Sequence, residues 1–245
     1  MHRYLQTNKL VDLKDAISMT RTAVELTKNN HQAVLGAALG NLGTMLLERA
    51  ARTTKNDDLA EALQYSTWAL ECLSDRDADR AVVLATVGSI LARRYERIGE
   101  GHDLEEAISR VQTAARIQKS LEGDSFSALV FHNLGSLLEK RYECTGKRDD
   151  LQHAIDTMRE ATAISPEDPQ MLAGIELSLT NLLIRKYECT GNLQDLANAL
   201  PEVRTAVQAA PELPELEAIL SRLGRLARVQ YSMRMYPSQT TEAAQ

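Results

Sequence analysis

Aromatic residues make up only 4% of this 245-residue chain, with one Trp and two Phe, so its core has to be built from aliphatic side chains. A basic excess is also missing: 28 Lys and Arg stand against 34 Asp and Glu, a net charge of −6. Nucleic acid and anionic membrane surfaces both need a basic footprint and are not expected as partners. No stretch approaches the roughly 18 apolar residues of a membrane span; the longest, Ala81 to Ala92, stops at Arg93-Arg94. The opening Met-His-Arg-Tyr-Leu is followed by polar residues and has no signal-peptide core. Three cysteines cannot all pair with one another, and no Asn-x-Ser/Thr acceptor occurs; a reducing, cytoplasmic setting is expected.

Chemistry-bearing motifs are scarce as well. His2, His31, His102, His132 and His153 form no His-Glu-x-x-His pair, and Gly99-Glu100-Gly101 lacks the third glycine of a dinucleotide site. Cys144 and Cys189 occupy equivalent places in a repeat, without the short spacings of a zinc site. No catalytic residue, metal ligand or cofactor site is therefore expected.

What the chain has in abundance is self-similarity. Tyr95-Glu96-Arg97-Ile98-Gly99 returns as Tyr142-Glu143-Cys144-Thr145-Gly146 and as Tyr187-Glu188-Cys189-Thr190-Gly191. An Asp-Leu pair follows each, at Asp103-Leu104, Asp150-Leu151 and Asp195-Leu196, and stands also at Asp12-Leu13 and Asp58-Leu59. Tyr4 and Ala50 fill the tyrosine place in the first two copies. The leucines lie 46, 45, 47 and 45 residues apart, which makes five copies of one unit.

Each unit reads as two helices. After Asp-Leu come two alanines seven residues apart: Ala16/Ala23, Ala62/Ala69, Ala107/Ala114, Ala154/Ala161 and Ala199/Ala206. Two helical turns put both on one face, where they admit a close neighbour. The aspartates are expected as N-caps, three of them with an acid three residues on. The other helix carries Leu39/Leu42/Leu46, Leu84/Val87/Leu91, Phe131/Leu134/Leu138 and Leu220/Leu223, the three-and-four spacing of a buried stripe. A glycine follows the stripe's middle residue at Gly43, Gly88, Gly135 and Gly224, with Thr180 in that place in the fourth helix. Glycine inside a helix costs about 1 kcal/mol against alanine, so its recurrence points to close helix packing. No segment alternates with period two, and no strands are expected. The expectation is an all-α superhelix, right-handed and of about ten helices, over residues 1–236, with 237–245 as a disordered tail.

Leu-x-x-Leu-Gly-x-x-Leu on one helix and the paired alanines on the next resemble the tetratricopeptide repeat (TPR), although the period here is about 45 residues against the TPR's 34 or so. HEAT and armadillo units fit the period but not the Leu-Gly and Ala-Ala pairs. Asn-Leu-Gly, a basic pair, Tyr-Glu-x-Thr-Gly, Asp-Leu and Ala-Ile together look like the tandem TPR arrays of fungal multidomain proteins, which adjoin CHAT-type protease or NACHT nucleotide-binding domains. The likeness covers residues 4 to 231 and extends to no effector domain. It implies a scaffold, sensor or assembly region without chemistry of its own.

One line of side chains could serve such a role. In a TPR-like array the first helix of each pair lines the groove, and Arg93, Lys140 and Arg185 fall on its inner face, with Glu48 in their place in the first copy and Arg225 and Arg228 extending the row. Such a row could hold an acidic peptide. The plainer expectation is that each base pairs with the Glu96, Glu143 or Glu188 that follows it, or with acids of the next repeat. A chaperone-tail clamp is incomplete in every unit: Asn41 and Asn133 match one clamp asparagine, but no lysine stands two before the leucine. The array opens with the second helix of a pair, about Asp12 to Thr27, and closes with a first helix, about Pro214 to Met235. Both lack their own partner, so at least one end is expected to dock on a second copy or on further sequence.

Overall fold

A computed structural model describes residues 9–28, 32–53, 56–74, 77–120, 125–164 and 168–235. Among them the chain forms ten helices and no strand: α1 Leu10–Thr27, α2 Gln32–Thr53, α3 Asn56–Cys72, α4 Ala78–Ile98, α5 Gly101–Ser120, α6 Ser125–Thr145, α7 Arg148–Ala163, α8 Pro169–Thr190, α9 Leu193–Ala209 and α10 Pro214–Met235. Tyr4 and the 237–245 tail lie outside the described residues.

The helices pack as the antiparallel pairs α2/α3, α4/α5, α6/α7 and α8/α9, each second helix also resting on the first helix of the next pair. Sharp corners join the pairs internally. Gly99, Gly146 and Gly191 adopt φ of 81°, 68° and 68°, a left-handed conformation that costs glycine little. Their N–H groups close back on the carbonyls of Tyr95, Tyr142 and Tyr187 at 2.7, 2.8 and 2.7 Å, which accounts for the Tyr-x-x-x-Gly spacing.

The apolar stripes of α2, α4 and α6 are buried throughout. Leu42, Leu46, Leu91, Leu182 and Leu183 lose essentially all exposure, worth about 1.5–3 kcal/mol each. The paired alanines of α3, α5 and α7 (Ala62, Ala69, Ala107, Ala114, Ala154, Ala161) are each 0% exposed. Ala23 departs from the pattern: it faces solvent, and Val24 is buried instead.

Gly43 and Gly88 sit where the helices of a pair cross. A Cβ on Gly43 would fall 2.1 Å from Ser66 Oγ and 3.3 Å from the Ala62 carbonyl oxygen; on Gly88, 2.2 Å from Val111 Cγ2 and 3.2 Å from the Ala107 carbonyl oxygen. Gly135 meets only the thioether end of Met158, at 2.8 Å and beyond. Gly224 has nothing within 4 Å, and of the stripe expected on α10 Leu223 is buried while Leu220 is 47% exposed. Gly36 and Gly40, whose Cβ atoms would strike Leu73 and Val83, make α2 a second glycine-lined face.

The repeated aspartates are not N-caps. Lys9, Lys147 and Asn192 hold the cap positions of α1, α7 and α9, which places each aspartate three residues into its helix. There it is buried and ties the second helix to the last turn of the first. Arg49 reaches Asp58 at 2.7 Å, Arg141 reaches Asp150 at 2.6 Å, and Arg94 takes both oxygens of Asp103. Lys186 approaches Asp195 at 3.4 Å. The Thr53 and Thr190 hydroxyls donate to the same carboxylates at 2.8 and 3.1 Å. These ties raise Arg94 and Arg141 above the usual guanidinium range, through their hydrogen bonds to Asp103 and Asp150.

Candidate interaction groove

The first helices α2, α4, α6, α8 and α10 stand side by side and touch across repeats. Thr44 and Thr86 hydroxyls lie 3.3 Å apart, and His132 Nε2 lies 3.2 Å from Ser178 Oγ. Burial holds His132 below the usual imidazole range.

The basic row lies on this face, and its members differ. Lys140 Nζ bonds Glu96 at 2.5 Å. Arg185 bonds Glu143, and its Nε, which makes no hydrogen bond, lies 3.1 Å from a Glu139 carboxylate oxygen; burial pushes the Glu139 carboxyl up while Arg185 pulls it down. On α10 it is Arg222, rather than Arg225 or Arg228, that reaches back to Glu188, at 2.6 and 3.2 Å. Arg225 and Arg228 are exposed and make no ion pair among the described residues. Each acid of the Tyr-Glu motif is thus met by a base from the following repeat. Glu48 pairs with Arg52 at 3.0 Å. Arg93 also makes no ion pair among the described residues and, unlike Arg225 and Arg228, is half-buried.

Arg93 opens onto a cleft of about 170 Å³ between α4 and α6. Ser89 and Glu96 line it from one side, Asn133, Ser136 and Lys140 from the other. The two serine hydroxyls donate to carbonyls four residues back, each at 3.0 Å, and retain acceptor capacity only toward the cleft. The Asn133 side chain makes no hydrogen bond among the described residues. With Glu96 and Lys140 neutralising each other, the cleft carries one uncompensated cation and one free amide. That combination fits a carboxylate beside a peptide group.

The sequence pattern located Arg93 and Lys140 but not Asn133 as their neighbour, because i and i+40 relations across repeats follow packing rather than spacing. It also passed over Arg222. Arg222 lies two residues before Gly224 whereas Arg93 lies five after Gly88, so the repeat register carried no signal for it.

Two of the three cysteines meet tyrosine hydroxyls of the preceding repeat. Cys144 Sγ lies 2.8 Å from the Tyr95 hydroxyl, and Cys189 Sγ 2.8 Å from that of Tyr142. The described residues hold no cluster of three potential metal ligands and no helix long and apolar enough to cross a membrane.

No protein-family model matches the chain, and no curated protein matches it. Among solved structures it is similar to the APC/C hetero-tetramer Cut9-Hcn1, at 14% identity and a TM-score of 0.52, over 90% of this chain and 40% of that one. The de novo designed helical repeat protein DHR64 matches at 18% identity and TM-score 0.37, over 83% and 96% of the two chains. YrrB, described as a TPR protein with an unusual peptide-binding site, matches at 15% and 0.38, over 81% and 96%. The likeness is one of fold: the chain is an all-α solenoid of TPR-like two-helix repeats.

Proposed function

We propose that this chain is a non-catalytic protein-interaction scaffold whose first-helix groove holds an acidic segment of a partner. The observation that carries this reading is the α4–α6 cleft, where Arg93 lacks a counter-ion and Asn133 lacks a hydrogen-bond partner. An extended peptide offers a carboxylate to the first and a backbone amide to the second. Lys140 and Arg185 favour a second reading, assembly or sensing within a larger CHAT- or NACHT-type protein, because their charges are already spent on neighbouring repeats.

The two readings separate on a peptide array graded by net charge and probed with the 245-residue chain. The scaffold reading expects acidic peptides to be retained preferentially, with binding that weakens in salt. Arg93→Glu should abolish it, and Lys140→Glu should weaken it less. Equal retention of neutral and acidic peptides, or binding untouched by Arg93→Glu, would overturn the groove reading.

A further inference from the structure

We propose that α10 of one copy is completed by α1 of a second copy, so that the chain associates head to tail through the same contact that joins the helices of each repeat.

That contact has a fixed register within the chain. The packing glycine of the first helix meets the residue eight places after the repeated aspartate: Gly43 meets Ser66, Gly88 meets Val111, and Gly135 meets Met158. Seven residues before the glycine, Gly36 meets Leu73, seven beyond Ser66. Six residues after it, Arg49, Arg94 and Arg141 bond the aspartates. Antiparallel packing is thus specified at three levels along the pair.

α10 presents the glycine level of this contact open among the described residues. Gly224 is open, and Leu220 is 47% exposed where Leu84 and Phe131 are 3% and 6% exposed. Ala227, three after the glycine, is exposed where Leu91 and Leu138 are buried. Beside it a cleft of about 630 Å³ is lined by Val207, Leu213, Leu216 and Leu220.

α1 presents the other half. It is a second helix by its Asp12-Leu13 start, and it covers α2 with Leu13, Ile17 and Val24. Ala23 stands where Ala69, Ala114, Ala161 and Ala206 are each 0% exposed against their own first helix, yet Ala23 is exposed. Met19 and Leu26, 75% and 74% exposed, flank it at spacings of four and three, one apolar stripe turned to solvent. Among the described helices α1 packs on α2 alone, so it does not reach α10 of its own chain.

Laying the register of the complete pairs over these two helices puts Thr20 opposite Gly224 and Ala23 opposite Leu220. At the outer levels the same register sets Glu217 opposite Thr27, where the α2/α3 pair has Gly36 and Leu73, and Gln230 opposite Asp12, where complete pairs have an arginine. Asp15 falls one position from the residue opposite Arg228, and Lys28 is bonded to Glu25. Arg228, Asp15 and Glu217 make no ion pair among the described residues. Because the two surfaces differ, the association is heterologous and propagates from copy to copy, as stacking does within the array.

Sedimentation velocity on the 245-residue chain from about 1 to 200 µM tests this. The weight-average mass should rise with concentration, and Leu220→Glu or Ala23→Glu, both at exposed sites, should each leave a monomer. Each variant keeps the end the other has lost, so mixing them should yield a heterodimer and nothing larger. A wild-type chain that stays monomeric throughout would overturn the proposal, as would association that survives both substitutions or fails to return on mixing. If deleting residues 237–245 converts a monomer into a self-associating chain, the occupant of α10 is that segment and not a second copy.

Discussion

Cys144 lies under the hydroxyl of Tyr95 from the repeat before it, and Cys189 stands in the same relation to Tyr142. Hydrogen bonding to the thiols raises both tyrosines above the usual phenol range. In the second copy the tyrosine place holds Ala50, fully buried, and the cysteine place in the next repeat holds Arg97. Arg97 reaches into the space and donates to the Ala50 carbonyl at 2.6 Å and to Asn56 Oδ1 at 3.2 Å. A large residue at one position is thus matched by a small one at the other.

This pairing predicts coupling between Ala50 and Arg97. Ala50→Tyr alone should destabilise by about 1–3 kcal/mol through overpacking, and Arg97→Cys by less. The double variant, which recreates the Tyr95–Cys144 relation, should recover at least about 1 kcal/mol of the sum. Urea unfolding of the four chains measures this; additive effects would mean that the two positions do not share the space.

The glycines predict an order rather than a uniform cost. Gly88→Ala has to displace Val111 and press on a backbone carbonyl, and should cost about 1–3 kcal/mol. Gly135→Ala meets only the flexible end of Met158 and should cost less. Gly224→Ala meets nothing, so its gain in helix propensity should show as up to about 1 kcal/mol of stabilisation. Thermal melts of the three variants check the order.

The repeat and the two-helix unit were legible because helical periodicity and a 45-residue echo survive in one sequence. What the echo concealed was direction. Glu96 follows Arg93 and Arg94 closely, yet its partner is Lys140 of the next helix. The aspartates look like caps because polar residues open helices, and only the three-dimensional approach of Arg94 shows why Asp103 has to be buried one turn in. Ala23 and Gly224 carry the pattern of their equivalents without the contact, because a repeat pattern records what a position packs against only when that neighbour is present. Glu176 was not legible at all, since it breaks the apolar pattern of its position and does not repeat.

The aspartate ties predict a further gradient. Asp103 is 0% exposed and held bidentately by Arg94, whereas Asp195 has one Lys186 contact at 3.4 Å beside the Thr190 hydroxyl at 3.1 Å. Removing one partner of a buried pair strands the other charge. Asp103→Ala should therefore cost roughly 3 kcal/mol, at the lower end for buried pairs because Arg94 retains some solvent access. Asp195→Ala should cost about half as much, its lysine turning to water. Equal costs in urea unfolding would mean that helix-start electrostatics, common to both, carries the stabilisation.

Glu176 makes stability depend on pH. It occupies the core position held by Leu39, Leu84 and Phe131 in the other repeats, is 5% exposed, and has its Oε2 enclosed without a hydrogen-bond partner. Burial first, and Glu202 on α9 second, push its carboxyl from 4.5 up to about 8. A carboxyl raised in the folded state stays protonated there while the unfolded chain has already released its proton. Between those two values the folded chain binds more protons, so stability falls as pH rises, and the loss is complete above the folded value. Glu176→Leu restores the residue type of the other repeats and removes this dependence. The variant should gain little at pH 5 and progressively more toward pH 9, by at most about 1.4 kcal/mol per pH unit across the window. Urea unfolding of both chains at pH 5, 7 and 9 reads the difference directly, and a gap that stays constant with pH would show that Glu176 ionises in the folded chain as it does in water.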